Sequence, residues 1–80
     1  MMAVPSGSRH LGIDLGATNL KWCVVGHEGD AWEVLSRDQR PTLPEDGPEA
    51  VVGRLIEIGR AALSSWPDIA SVGIGVPGRR

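Results

Sequence analysis

Eighty residues with a formal net charge of −2 and 22% charged side chains make one small domain or a part of one, since a chain of this size buries only about 60% of its unfolded surface. Ligand clefts form mostly between domains or at sheet switch points, so the length argues against a complete two-substrate enzyme. The charge balance gives no basic face for nucleic acid or for an anionic membrane, which leaves small molecules as the expected partners.

The remaining bulk properties are equally restrictive. The lone Cys23 cannot form an internal disulfide or a cysteine metal cluster. Within the run Trp22-Cys23-Val24-Val25 it reads as a buried small hydrophobe. Residues 1–8 lack the basic and apolar regions of a secretory signal, and no apolar run nears the roughly 20 residues that span a bilayer. The expectation is a soluble, cytoplasmic protein.

In chain order, residues 1–8 read as a flexible lead-in, and residues 9–80 as the structured part. From His10, Leu11, Ile13 and Leu15 alternate with Gly12 and Asp14, the period of a strand with one buried face. After a polar turn at residues 16–19, residues 20–26 form a second strand, ended by the turn signal His27-Glu28-Gly29-Asp30. Residues 31–37 place Trp32, Val34 and Ser36 on one side and Glu33, Leu35 and Arg37 on the other, as an outer strand would.

Three prolines within residues 40–48 remove backbone donors and predict a surface connection. A helix then starts near Pro48 and Glu49, with Asp46 or Gly47 as its cap. Val51, Val52, Leu55, Ile56, Ile58, Ala62, Leu63 and Trp66 form one broad apolar stripe. Gly53 and Gly59 each cost the helix about 1 kcal/mol, tolerable if one of them lets the backbone approach the sheet. Pro67-Asp68 stops the helix, and residues 69–76 return as an apolar strand that reads as buried. The order β-β-β-α-β implies a mixed sheet, with the last strand parallel to the first through a right-handed crossover.

Two motifs carry chemistry. Asp14-Leu15-Gly16-Ala17-Thr18-Asn19-Leu20-Lys21 offers a carboxylate for a hydrated divalent ion, backbone N–H groups and a hydroxyl for phosphate oxygens, and a cation. The competing reading is a polar hairpin turn, because Asp, Gly and Asn favour turns on conformational grounds. Asp14 at a strand end needs a partner, a metal or water; Lys21 could be that partner through a structural ion pair.

Gly73-Ile74-Gly75-Val76-Pro77-Gly78 matches G-x-G-x-x-G, but its first two glycines lie in the strand and no helix follows, so a dinucleotide site is rejected. His10 and His27 read as solvated loop residues. Trp22, Trp32 and Trp66 read as core or sheet packing. Arg79-Arg80 read as a solvated end.

The stretch from His10 to Lys21 resembles the first phosphate motif of the actin-like ATPase superfamily. Paired with Val72-Gly-Ile-Gly-Val-Pro-Gly78, it resembles the ROK family of sugar kinases and repressors. The resemblance implies an α/β fold, an incomplete ribonuclease H-like domain of the actin-like ATPase type. It implies ATP-dependent phosphorylation of a hexose, most commonly glucose, by a homo-oligomeric parent protein.

Carried onto this chain, Asp14 would hold Mg2+ through water, while Gly16, Ala17, Thr18, Asn19 and Lys21 would bind ATP. Pro77 and Gly78 would border the sugar. Ala17 stands where the family commonly has glycine, which is acceptable only if φ there is negative. The family's catalytic base and zinc cluster have no counterpart in these 80 residues, so the isolated chain is expected to be inactive. The alternatives are a fragment of a ROK repressor, disfavoured because only nine residues precede the first strand, and a non-functional remnant.

Overall fold

The computed structural model describes residues 8–76 of the chain. The lead-in up to residue 7, Pro77, Gly78 and the Arg79-Arg80 doublet lie outside the described residues. Strands β1 (Ser8–Leu15), β2 (Asn19–Glu28) and β3 (Ala31–Pro41) are followed by helix α1 (Pro48–Ser65) and strand β4 (Ile69–Gly75). The sheet order is β3-β2-β1-β4, with β1/β2 and β2/β3 antiparallel and β4 parallel to β1. This is the mixed β-β-β-α-β sheet that the sequence pattern predicts. β1 starts at Ser8, two residues before the predicted His10.

Alternation places the core. Leu11 sits opposite Val24, Ile13 opposite Trp22 and Leu15 opposite Leu20, so the apolar side chains of β1 and β2 share one face. Helix α1 lays Ile58 and Ala62 on that face, burying them with Leu11, Ile13, Leu20 and Val24. Each Leu, Ile or Val among them contributes about 1.5–3 kcal/mol on full burial. Leu15, Trp22, Leu35, Leu55, Trp66 and Ile69 pack around this cluster. Gly29, with φ 61°, turns β2 into β3, a conformation that glycine adopts without the penalty a Cβ would bring.

Helix α1 begins at the predicted place but without a side-chain cap. Its N-cap is Gly47, at φ 98°. Asp46, the other candidate, lies in a 3-10 turn, Pro44–Asp46, and is bonded to Arg54. The helix ends where the Trp66 N–H donates to the Ala62 carbonyl at 2.7 Å.

Several expectations are corrected. Val72 and Ile74 pair with Leu11 and Ile13 but are 52% and 55% exposed, because β4 is an edge strand lying beyond the cover of α1. The apolar stripe of α1 is wider than the sheet can bury: Ile58 and Ala62 are inside, whereas Val52, Ile56 and Leu63 remain exposed. Neither Gly53 nor Gly59 mediates a close approach, since a Cβ at either would meet nothing within 4 Å.

In β3, Val24 pairs with Ser36 and Val25 with Val34, so Leu35 is an extra residue in a β-bulge. A bulge resets the alternation. Ser36 therefore shares the helix-covered face with Val24, while Trp32 and Val34 lie on the other. The Pro-rich connection is not wholly at the surface, as Thr42 within it is buried. No helix among the described residues is long and apolar enough to cross a membrane.

Candidate functional site

The loop between β1 and β2 is a tight reversal. The Gly16 N–H donates to the Asn19 carbonyl at 3.1 Å. A Cβ on residue 16 would come within 2.8 Å of that same oxygen, closer than real contacts allow, so glycine is required there by close approach. Among the described non-glycine residues only Leu43 has positive φ, so Ala17 meets the condition its substitution for glycine imposes. Ala17 and Thr18 are exposed, and their N–H groups make no hydrogen bond within the described residues. Asn19 serves the loop through its backbone carbonyl and stands opposite Pro41.

Asp14 is exposed one residue before the end of β1 and lies directly opposite Lys21, also exposed. Cross-strand neighbours of opposite charge often pair. Here they do not: the ion pairs among the described residues join Arg9 to Asp68, Arg40 to Glu57 and Arg54 to Asp46. The structural ion pair that would explain Asp14 without a ligand is absent. No group of three His, Cys, Asp or Glu side chains gathers among the described residues. A single hydrated carboxylate suits Mg2+, which keeps several waters and takes further oxygens from substrate phosphates.

The two sequence motifs meet. Parallel pairing sets Asp14 beside Gly75 and Gly12 beside Gly73, at the carboxyl ends of adjacent parallel strands, where open α/β sheets bind ligands. On the helix-free face these ends border a concavity of about 990 Å³, with Gly12, Asp14, Lys21, Cys23, Gly73 and Gly75 in its wall. Residues 16–19 are not part of that wall. Pro77 and Gly78, the expected sugar contacts, lie outside the described residues. Cys23 is only half-buried and lines the concavity rather than the core, because its position in β2 points away from α1.

The histidines are not loop residues. His10 lies in β1 and His27 in β2, both half-buried, with ring centroids 5.6 Å and 4.6 Å from that of Trp32. His10 Nε2 and Nδ1 lie 2.9 Å and 2.7 Å from the hydroxyls of Ser8 and Ser71. Trp22 and Trp66 pack at the core, whereas Trp32 is 55% exposed on the opposite face.

Sequence reasoning missed Thr42, 3% exposed and the buried polar residue among those described. Its hydroxyl donates to the Gly16 carbonyl at 2.8 Å, and its N–H donates to the Thr18 carbonyl at 2.9 Å. Its partners lie more than twenty residues away, so no local pattern could have marked it.

No family model and no curated protein matches this chain. Solved structures do. A Ppx/GppA family member from Aquifex aeolicus has a TM-score of 0.64 at 11% identity, over 86% of this chain and 26% of that one. A PPX-GPPA enzyme and the type II variant of a Ppx/GppA phosphatase, both also from Aquifex aeolicus, have TM-scores of 0.63 at 14% and 10% identity over the same shares. The chain thus spans about a quarter of the length of the structures it matches. At such identities the likeness shows the fold: the chain has part of an actin-like, ribonuclease H-like fold.

Proposed function

We propose that this chain supplies the metal- and phosphate-binding part of an ATP-dependent hexose kinase of the ROK type, residues 9–80 being the N-terminal part of its first domain. The observation that carries the reading is Asp14: exposed, without an ion pair among the described residues and set beside Gly75 of the second motif. The motif resemblance supports a sugar kinase, and the phosphatase of the same fold supports phosphate chemistry in general.

In this reading Asp14 holds hydrated Mg2+, which when bound would neutralise phosphate charge. The free N–H groups of Ala17 and Thr18 and the Thr18 hydroxyl donate to phosphate oxygens. Lys21 offsets the remaining negative charge. Phosphoryl transfer rests mainly on positioning and charge stabilisation, so these groups amount to half of a catalyst. The base that takes the hexose hydroxyl proton belongs to the rest of the parent protein.

Titration of the 15N-labelled chain with Mg·ATP tests the site. Amide shifts are expected at Asp14, at residues 16–19 and at Lys21, and they should collapse when EDTA removes the metal. Absence of shifts there, or shifts equal with and without Mg2+, would sink the reading. The likeness to a Ppx/GppA phosphatase favours a second reading, part of a phosphate-releasing enzyme. A longer protein carrying this segment separates the two: glucose phosphate formed from ATP marks the kinase, and inorganic phosphate released without sugar marks the alternative.

A further inference from the structure

The geometry points to Thr42, held in place by Arg54, as the positioning residue of the loop at residues 16–18. This rests on the phosphate-loop reading above and adds to it the means by which the loop is kept ready. Thr42 grips the loop at two points. Its hydroxyl donates to the Gly16 carbonyl and its N–H to the Thr18 carbonyl, so the carbonyls flanking Ala17 are both tied to a single residue. The Gly16 carbonyl shares its peptide plane with the Ala17 N–H, and the plane carrying the Thr18 N–H is joined to that one on one side and to the tied Thr18 carbonyl on the other, so both N–H groups, unpaired among the described residues, are presented with little further ordering cost. Such pre-organisation is what lets backbone donors bind an anion in water.

Thr42 is itself anchored. Arg54 of α1 donates from Nη1 to the Thr42 carbonyl at 2.8 Å and to the Leu43 carbonyl at 3.4 Å. Its Nη2 is bonded to Asp46. The Arg54 side chain is only 14% exposed, so this is a built contact and not a passing surface pair. Leu43, next in the chain, sits in the left-handed region at φ 52° and ψ 59°. A non-glycine residue stays in such a conformation only where its surroundings over-determine it, and here the Arg54 fork and the following 3-10 turn do so. The loop is therefore coupled through Thr42 and Arg54 to the helix that covers the core.

The test compares Thr42→Val, which keeps the shape and removes the hydroxyl donor, with Thr42→Ser, which restores it, and with Arg54→Lys, which cannot serve two carbonyls and Asp46 together. In the 15N-labelled chain without ligand, Thr42→Val is expected to raise the ps–ns mobility of the Ala17 and Thr18 amides while those of β4 keep their values. Mg·ATP affinity should fall on the order of fivefold, the equivalent of one hydrogen bond. Thr42→Ser should lie within about twofold of the native chain, and Arg54→Lys between the two.

Unchanged loop mobility in Thr42→Val would overturn the proposal, as would a Thr42→Ser variant no better than Thr42→Val. So would a Thr42→Val chain that unfolds throughout, which would make Thr42 a determinant of the whole fold. A native chain that ignores Mg·ATP while its loop still loosens in Thr42→Val would instead sink the phosphate reading and leave the positioning role standing.

Discussion

The helix-free face of the sheet has two ends that treat their polar groups in opposite ways. At the amino end of β1, His10 is bonded at both ring nitrogens to Ser8 and Ser71 and leans on Trp32, which also contacts His27. Four residues along the same face, a span of about 13 Å, Asp14 and Lys21 face each other across β1 and β2 without joining in an ion pair. One end meets most of its needs from its own side chains. The other leaves a carboxylate and a cation without an ion pair among the described residues, next to a loop whose Ala17 and Thr18 N–H groups are likewise unpaired there. The end whose charges are left apart is the one to which the proposed function assigns a ligand.

The sharpest way to break this contrast is Asp14→Asn. In a longer protein carrying this segment, the kinase turnover proposed above should fall by orders of magnitude, as the proposed metal-holding role of Asp14 requires, while the melting temperature holds. An unchanged rate would return Asp14 to the status of a turn residue. Next in size is Gly16→Ala. A Cβ at 2.8 Å from the Asn19 carbonyl must push the hairpin open, and overpacking of this kind costs roughly 1–3 kcal/mol. Chemical denaturation should show that loss together with weaker Mg·ATP binding; a native midpoint would mean the loop yields without strain.

How far the contrast could be foreseen differs from residue to residue. The alternation of Leu11, Ile13 and Leu15 announced β1, and the apolar run after Pro67-Asp68 announced a strand parallel to it, because both signals are local and periodic. Asp14 beside Gly75 was not foreseen, because parallel pairing alone leaves the register open and only the structure sets it. The bulge at Leu35 was invisible, since an inserted residue leaves the composition of a strand unchanged and shifts only its phase. The edge position of β4 was misjudged because an apolar strand reads as buried whether or not anything covers it. His10 and His27 looked solvated in sequence, since the contacts that half-bury them come from Ser71 and Trp32 on other strands. Thr42 was lost among prolines, its role created entirely by tertiary contacts.

The self-contained end offers a smaller perturbation. His10→Ala removes the partner of two serine hydroxyls and one ring contact with Trp32. Because one of those hydrogen bonds is exposed and the other part-buried, the loss should be about 1 kcal/mol, read as a lower denaturation midpoint. Mg·ATP binding at the far end of β1 should not change. If it did, the two ends would be coupled, and the division of the face into separate parts would fail.

Lys21→Gln should have the least effect on stability. Lys21 is exposed and makes no ion pair among the described residues, so its removal should leave the folding free energy within about 0.5 kcal/mol of the native value, the opposite of what the Asp14–Lys21 pairing would demand. Its effect should appear only with the ligand. Mg·ATP binding should weaken, and the weakening should fade as salt is raised, since an exposed charge acts through a field that ions screen within about 10 Å at 0.1 M. A clear fall in stability without ligand would mean that Asp14 and Lys21 stabilise each other in solution. The charged end of the face would then be as self-sufficient as the histidine end, and the case for a ligand there would have to rest on the loop N–H groups alone.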